Sequence, residues 1–454
     1  MKRIAVAWIA ALATLTLNGA AIAQNAPPAA LPSARIISFR EAIRIALEQN
    51  TTVRAAKNSA ALGQVNVSEA QGQFLPNLTF SSTGSSTFGR SSAAQAFSDG
   101  GKSLSLGVNS GVVLFDGFGN VAQLKGARLS SDASAQELHR ARETVAFNVA
   151  SQFLALIQRQ EQMRVQRENL QAVTELERQI QTYVDNGART IADLYQQQAS
   201  AASARFSVVD AERTAELAKV DLMQTLQLDP TATYEFEPRE DSTAEAASQQ
   251  LDLGSLQTRA SGQRIDLRAE QARVDAADQN VRVAKSNRWP TLSLNAGYSS
   301  AYSSASPADF NDQLDQRRGG SVSLGISVPI FDRTATSNAT RRAEIQADNE
   351  RLNLENLQQD VALQVRRAHL DFQAAQEQLV VARAQVRAAE QSLQATQERY
   401  TAGASTLVEV TQARATQVQA ASALVFARFN LQFQRTLIDY YTGDLDPLKL
   451  GGAQ

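Results

Sequence analysis

Cysteine is absent from all 454 residues. A chain without thiols needs no disulfide catalysis, has no stray thiol to mispair, and lacks the cysteine that a bacterial lipid anchor requires. Histidine occurs only at His139 and His369, which are not equivalent positions of the repeat described below. No cluster of metal-ligating residues and no G-x-S-x-G, Walker or H-E-x-x-H pattern appears, which argues against an enzyme, a metal site or a nucleotide-binding site. The signal Gly117-x-Gly119-x-x-Ala122 is a weak dinucleotide fingerprint. The strand before it alternates, whereas a dinucleotide-binding strand is buried on both faces, so the glycines are read as a strand-to-helix turn. Charge of one sign is also lacking: the formal net charge is −2 with both signs interspersed, and no basic stripe points to nucleic acid.

Long apolar runs are missing after the first 23 residues. Those residues read as a secretory signal, with Lys2 and Arg3, an apolar stretch from Ile4 to Leu17, and an A-x-A site at Ala21-Ile22-Ala23. Nothing later is an 18-residue apolar run, so any membrane insertion must use strands.

Proline is confined. The ten prolines leave residues 77–229 and 330–446 free of it. An interior proline costs a helix about 3 kcal/mol, so uninterrupted helix is allowed there. Both gaps are rich in Ala, Gln, Glu, Arg and Leu. Val145, Val149, Phe153, Leu156, Met163 and Leu170 form a narrow seam of coiled-coil spacing. A helix from about 120 to 186 would run roughly 100 Å at 1.5 Å per residue. Gly187 and Gly403 interrupt the two long helices. Thr190-Ile-Ala-Asp193 and Thr406-Leu-Val-Glu409 then match capping boxes that start return helices over about 190–227 and 406–442, Asp193 being the weaker match. Shorter helical segments occupy 40–72 and 258–287.

These features occur twice. Phe115-Asp116 returns as Phe331-Asp332 and Gly187-Ala188-x-Thr190 as Gly403-Ala404-x-Thr406, both 216 positions later; Pro76 returns as Pro290, 214 later. The period is too long for a solenoid and reads as duplication of a half-protein. Repeat 1 spans about 36–230, an irregular acidic linker about 231–253, repeat 2 about 254–447, and a short tail 448–454.

Each half also offers two strands of about ten residues, joined by Ser/Gly-rich loops near 85–101 and 300–319. Val322, Leu324, Ile326, Val328 and Ile330 alternate with Ser321, Ser323, Gly325, Ser327 and Pro329. The apolar face packs either on a soluble core or against lipid; the uncharged Ser, Gly, Asn and Thr face suits a water-filled lumen. Four strands per chain cannot close a barrel with an open bore. Two chains would supply eight strands and little bore, three would supply twelve, and the sequence physics leaves the number open.

Phe74-Leu-Pro-Asn-Leu78, Val113-Leu-Phe-Asp-Gly-Phe118 and Asn186-Gly-Ala-Arg-Thr-Ile-Ala-Asp193 carry a resemblance, together with Arg288-Trp-Pro-Thr-Leu292, Val328-Pro-Ile-Phe-Asp332 and Arg399-Tyr-Thr-Ala-Gly-Ala-Ser-Thr406. In this order the chain resembles the TolC-type outer-membrane efflux protein family over nearly its whole mature length. The resemblance implies an α+β membrane protein. Four β-strands per chain would contribute to a homotrimeric 12-stranded outer-membrane barrel, continued by a long periplasmic α-helical coiled-coil tunnel. It implies a passive exit duct of a tripartite efflux or type I secretion system, docked to a periplasmic adaptor (membrane fusion) protein and an inner-membrane transporter, with no cofactor. It also places the tip turns, Gly187, Thr190, Gly403 and Thr406, where the tunnel closes. Asp193 and Glu409 would form acidic rings there, unless each acid serves only its capping box. Gln412 stands where family members often carry another acid. Arg189 would pair across chains or be a solvated turn residue, and its counterpart Ser405 cannot do the same. Two other readings remain: a structural or adhesive trimeric coiled coil anchored in the outer membrane without transport, and a soluble periplasmic coiled-coil adaptor.

Overall fold

A computed structural model describes residues 35–90, 97–237 and 250–447. The leader, the tail, residues 91–96 of the first strand loop and residues 238–249 of the linker lie outside the described residues. The chain runs β1 (Arg35–Ile37), α1 (Phe39–Gln49), α2 (Thr51–Gly72), β2 (Thr79–Arg90), β3 (Phe97–Phe115), α3 (Gly119–Asp185), α4 (Ile191–Leu226) and β4 (Tyr234–Phe236). It continues α5 (Leu253–Gln263), α6 (Ile265–Ser286), β5 (Thr291–Ser303), α7 (Phe310–Gln316), β6 (Gly319–Ser327), α8 (Ala335–Thr401) and α9 (Leu407–Thr442).

Apart from α7, the described helices of the two halves match element for element. α3 and α8 each have 67 residues, and α4 and α9 each have 36. Each long helix therefore extends about 100 Å, and its return helix covers only about half of that. Each half's return helix packs along its own long helix, while α6 packs against both α3 and α8 and ties the halves together. No helix among the described residues is long and apolar enough to cross a membrane.

The expected seam is the core. Val145, Val149, Phe153 and Leu156 are buried against Ile43, Leu222 and Phe236, and the second-half equivalents Val361, Val365 and Phe372 against Leu256 and Leu431. Several expectations need correction. The short helical segments are each broken in two, at Asn50 and at Arg264. Asn50 caps α2 by accepting from the Thr52 amide at 2.9 Å and donates to the Thr225 carbonyl at 2.9 Å. Arg264, only 3% exposed, donates to both carboxylate oxygens of Asp266 and to Gln364 Oε1. The linker is not wholly irregular, because Tyr234–Phe236 pairs in parallel with Arg35–Ile37. Three residues are too short a run to display a period of two. The loop near 300–319 contains α7, held by Gln313, which donates to the Ala308 carbonyl at 2.7 Å and accepts from the Ser303 amide at 2.9 Å. β3 has 19 residues rather than about ten. β6 stops at Ser327, ahead of Pro329, which has no N–H to donate to a ladder.

Candidate functional site: an open sheet, a long conduit and its tip

The four long strands form one antiparallel sheet in the order β2-β3-β5-β6. Its register sorts the side chains. Phe80 lies opposite Val108 and Val108 opposite Tyr298; Val112 lies opposite Leu294 and Leu294 opposite Leu324. Paired residues share a face, so one face is apolar. On the other, Thr79 lies opposite Asn109, Asn109 opposite Gly297, and Gly297 opposite Ser321. The nine residues of β6 are all exposed, so among the described residues neither face of this strand is covered. The edge strands β2 and β6 each have one neighbour. A long exposed edge with unpaired N–H and C=O groups is unstable in lipid, so the sheet is completed only by further strands.

At the sheet's base the long helices begin. Asp116 Oδ2 accepts from the Asn120 amide at 2.7 Å, and Asp332 Oδ2 from the Thr336 amide at 2.7 Å. The repeated Phe-Asp is thus a helix-starting device, with the carboxylate at the positive end of the helix dipole. Gly117 turns strand into helix at φ 68°, and a Cβ there would fall 2.6 Å from Trp289 Cβ. This geometry accounts for the glycine without any nucleotide.

At the far end, both tips close in the same way. Gly187 (φ 71°) and Gly403 (φ 77°) occupy the left-handed position. Ala188 N–H donates to the Tyr183 carbonyl and Gly187 N–H to Val184, as Ala404 donates to Arg399 and Gly403 to Tyr400. This is the Schellman pattern that satisfies the last helix carbonyls. Thr190 Oγ1 accepts from the Asp193 amide at 3.2 Å while Asp193 Oδ2 accepts from the Thr190 amide at 3.3 Å. Thr406 and Glu409 repeat the box at 3.3 and 3.4 Å.

The copies differ in what surrounds the acids. Glu409 is exposed, and its Oε2 accepts from Ser405 Oγ at 2.7 Å, with Arg399 Nη2 at 3.5 Å. The hydroxyls of Ser405 and Thr406 hold its carboxyl below the usual range. Asp193 is half-buried beside Tyr400. Arg189 does not point out as a free turn residue. Its guanidinium lies 4.3 Å from the centre of the Tyr400 ring and donates to the Tyr400 carbonyl at 3.2 Å. Tyr400 is only 4% exposed, and burial pushes its phenol up, against the Arg189 charge. It packs with Ile180, Leu194, Leu407 and Val410 in a small core joining the two hairpin tips. Gln412 is exposed and carries no charge. Tyr400 is the tip residue that the sequence did not single out, and Ser405, read there only as the counterpart of Arg189, donates to Glu409. Tyr400's position three residues before Gly403 was the only available signal.

An open sheet with one apolar and one polar face, prolonged by helices of about 100 Å, defines a protomer of a membrane-inserted conduit. The model of the family described as outer membrane efflux protein matches residues 42–226 and 256–443, one segment per half, and the chain belongs to that family. It is similar to the outer membrane efflux protein BepC of Brucella suis biovar 1 (strain 1330), with 23% identity over 413 residues, 89% of this chain and 85% of that protein. Among solved structures it resembles CusC at a TM-score of 0.79 and 18% identity, covering 95% of this chain and 99% of that one. It also resembles the outer membrane protein VceC of Vibrio cholerae at 0.75 and 18%, over 89% and 96% of the two chains. The CmeC outer membrane channel of Campylobacter jejuni follows at 0.76 and 17%, over 90% and 88%. The protein is thus an outer-membrane efflux channel protomer whose helices form a large periplasmic part.

Proposed function

We propose that three copies of this chain form a passive exit duct, a twelve-stranded barrel continued by a helical tunnel. A periplasmic adaptor and an inner-membrane transporter, of a tripartite efflux or type I secretion system, would dock to it and supply the energy. The observation that carries this reading is the unclosed four-stranded sheet, apolar on one face and lined by Ser, Thr, Asn and Gly on the other. Eight strands close with an interior filled by side chains, so two copies leave no duct, whereas twelve leave a bore. The repeat boundaries near 36–230 and 254–447 then describe two near-equivalent units per copy.

Asp193 and Glu409 become three-fold rings at the tip in such an assembly, and acidic rings draw cations to a pore mouth. Their capping role is compatible with this, because a carboxylate that accepts hydrogen bonds locally is not neutralised by them. Gln412 leaves the second half with a single acidic ring.

Crosslinking in membranes followed by mass spectrometry should recover an adaptor and an inner-membrane transporter with this chain. Their reproducible absence would favour a structural or adhesive trimer. In planar bilayers, Ala at both Asp193 and Glu409 should weaken cation block; unchanged conductance and block would remove the acids from the aperture.

A further inference from the structure

Antiparallel pairing brings all four strand–helix junctions to one end of the sheet: before β2, after β3, before β5 and after β6. Large apolar side chains are exposed there beside charged ones. Trp289 is 61% exposed, Ile330 96% and Phe331 84%. They flank the ends of β5 and β6 at the level where the periplasmic helices begin. Single exposed apolar residues are ordinary, but several large ones gathered at one end of a sheet mark an interaction surface.

The two halves depart from each other at this band. Arg288 stands where the first half has Phe74, 214 positions earlier, and Arg333 where it has Gly117, 216 earlier. The first half makes the same turn without either arginine, so the fold does not require them. Both are exposed, and neither forms an ion pair among the described residues. The adjacent Asp332 is engaged in capping α8. Arg333 (φ 52°) holds the left-handed conformation that Gly117 (φ 68°) supplies in the first half, while Thr334 and its counterpart Phe118 are both left-handed at φ 67°; at 333 this is a backbone cost that an arginine does not reduce. Arg342, also exposed, stands in the first turns of α8 beside Arg341, which lies 3.9 Å from Glu344.

We propose that Arg288 and Arg333, flanked by Trp289 and Phe331, bind the phosphate of an anionic phospholipid in the periplasmic leaflet of the outer membrane. The inference rests on the outer-membrane placement, which puts this end of the sheet at the periplasmic headgroup plane. Tryptophan favours that plane. Guanidinium forks match phosphate oxygens, and arginine stems lie along apolar surface while their heads stay wet. Since only the second half carries the pair, a trimer would hold three such sites.

The full chain, purified as its assembled oligomer, is titrated with phosphatidylglycerol and separately with phosphatidylcholine, and bound lipids are counted by native mass spectrometry. The parent should prefer phosphatidylglycerol, and the double variant R288Q/R333Q should lose roughly thirty-fold of that preference. Added salt should erode the parent's preference in the same direction. Equal binding of the two lipids by the parent, or an unchanged preference in the double variant, overturns the proposal. If the double variant does not assemble, R333Q alone is compared, and an unchanged preference there is equally fatal. Failure to enter bilayers of any composition would instead refute the membrane reading beneath it.

Discussion

Arg189→Ala should loosen the tip by separating its two hairpins. The guanidinium is stacked 4.3 Å from the Tyr400 ring centre and donates to the Tyr400 carbonyl at 3.2 Å. A partly desolvated cation–π contact contributes about 0.5–2 kcal/mol, and a hydrogen bond from a charged donor about 1.5 kcal/mol at this length. Their loss, about 2–3.5 kcal/mol per chain, corresponds to roughly a 30- to 300-fold shift toward separated tips. The absence of native cysteine makes the measurement direct. Cysteines placed at the exposed Ala188 and Ala402 carry spin labels, and electron–electron resonance reports the distance between the turns. The parent should give one narrow distance population and R189A an added longer one. Tyr400→Phe separates the contributions: the Tyr400 hydroxyl is buried without a hydrogen-bond partner, so removing it should leave the parent distribution, whereas Tyr400→Ala should resemble R189A. An unchanged distribution in R189A, or equal widening in Y400F, would refute the stacking argument.

Two further perturbations test the body of the protein. Gly117→Ala places a Cβ 2.6 Å from Trp289 Cβ at a φ of 68°, so assembled oligomer on native gels should fall sharply, while the exposed Gly187→Ala, whose Cβ would meet nothing within 4 Å, should lose only about 1–2 kcal/mol of helix-end stability. The second concerns pH. Glu270 on α6 is buried, and burial first and the neighbouring Glu350 carboxylate on α8 second raise its pKa, although Arg273 Nη1 donates to it at 2.8 Å. A raised carboxyl pKa means that the folded state retains a proton the unfolded state releases. Its stabilising contribution is therefore full below the unfolded value of about 4.3 and is lost as pH rises through the folded value. Glu350→Gln removes the second cause, so its melting temperature should match the parent near pH 4 and exceed it at pH 8; parallel curves would contradict the coupling.

Much of the architecture was readable because its causes are local. A proline-free stretch with apolar residues every three or four positions can only persist as helix, and Gly187 and Gly403 end it because the left-handed turn favours glycine. The alternation of Val322, Leu324 and Ile326 with Ser321, Ser323 and Gly325 announces a two-faced strand. Two kinds of feature were not legible. β4 and α7 are too short for periodicity to register. The contact of Arg189 with Tyr400 joins residues more than 200 positions apart, which no local pattern announces.

The sequence by itself determined the duplication, the extent of the long helices, the tip turns and the two-faced strands, since backbone sterics, capping and side-chain period act within a few residues. Only the tertiary structure decided which distant groups meet. Tyr400 reaches Arg189, Arg264 finds Gln364, and Tyr234–Phe236 pairs with Arg35–Ile37. These encounters depend on how long helices cross and on their rotation about their axes. Those follow from the summed packing of the buried seams and the close approach of Gly117 to Trp289, which no short window of sequence contains.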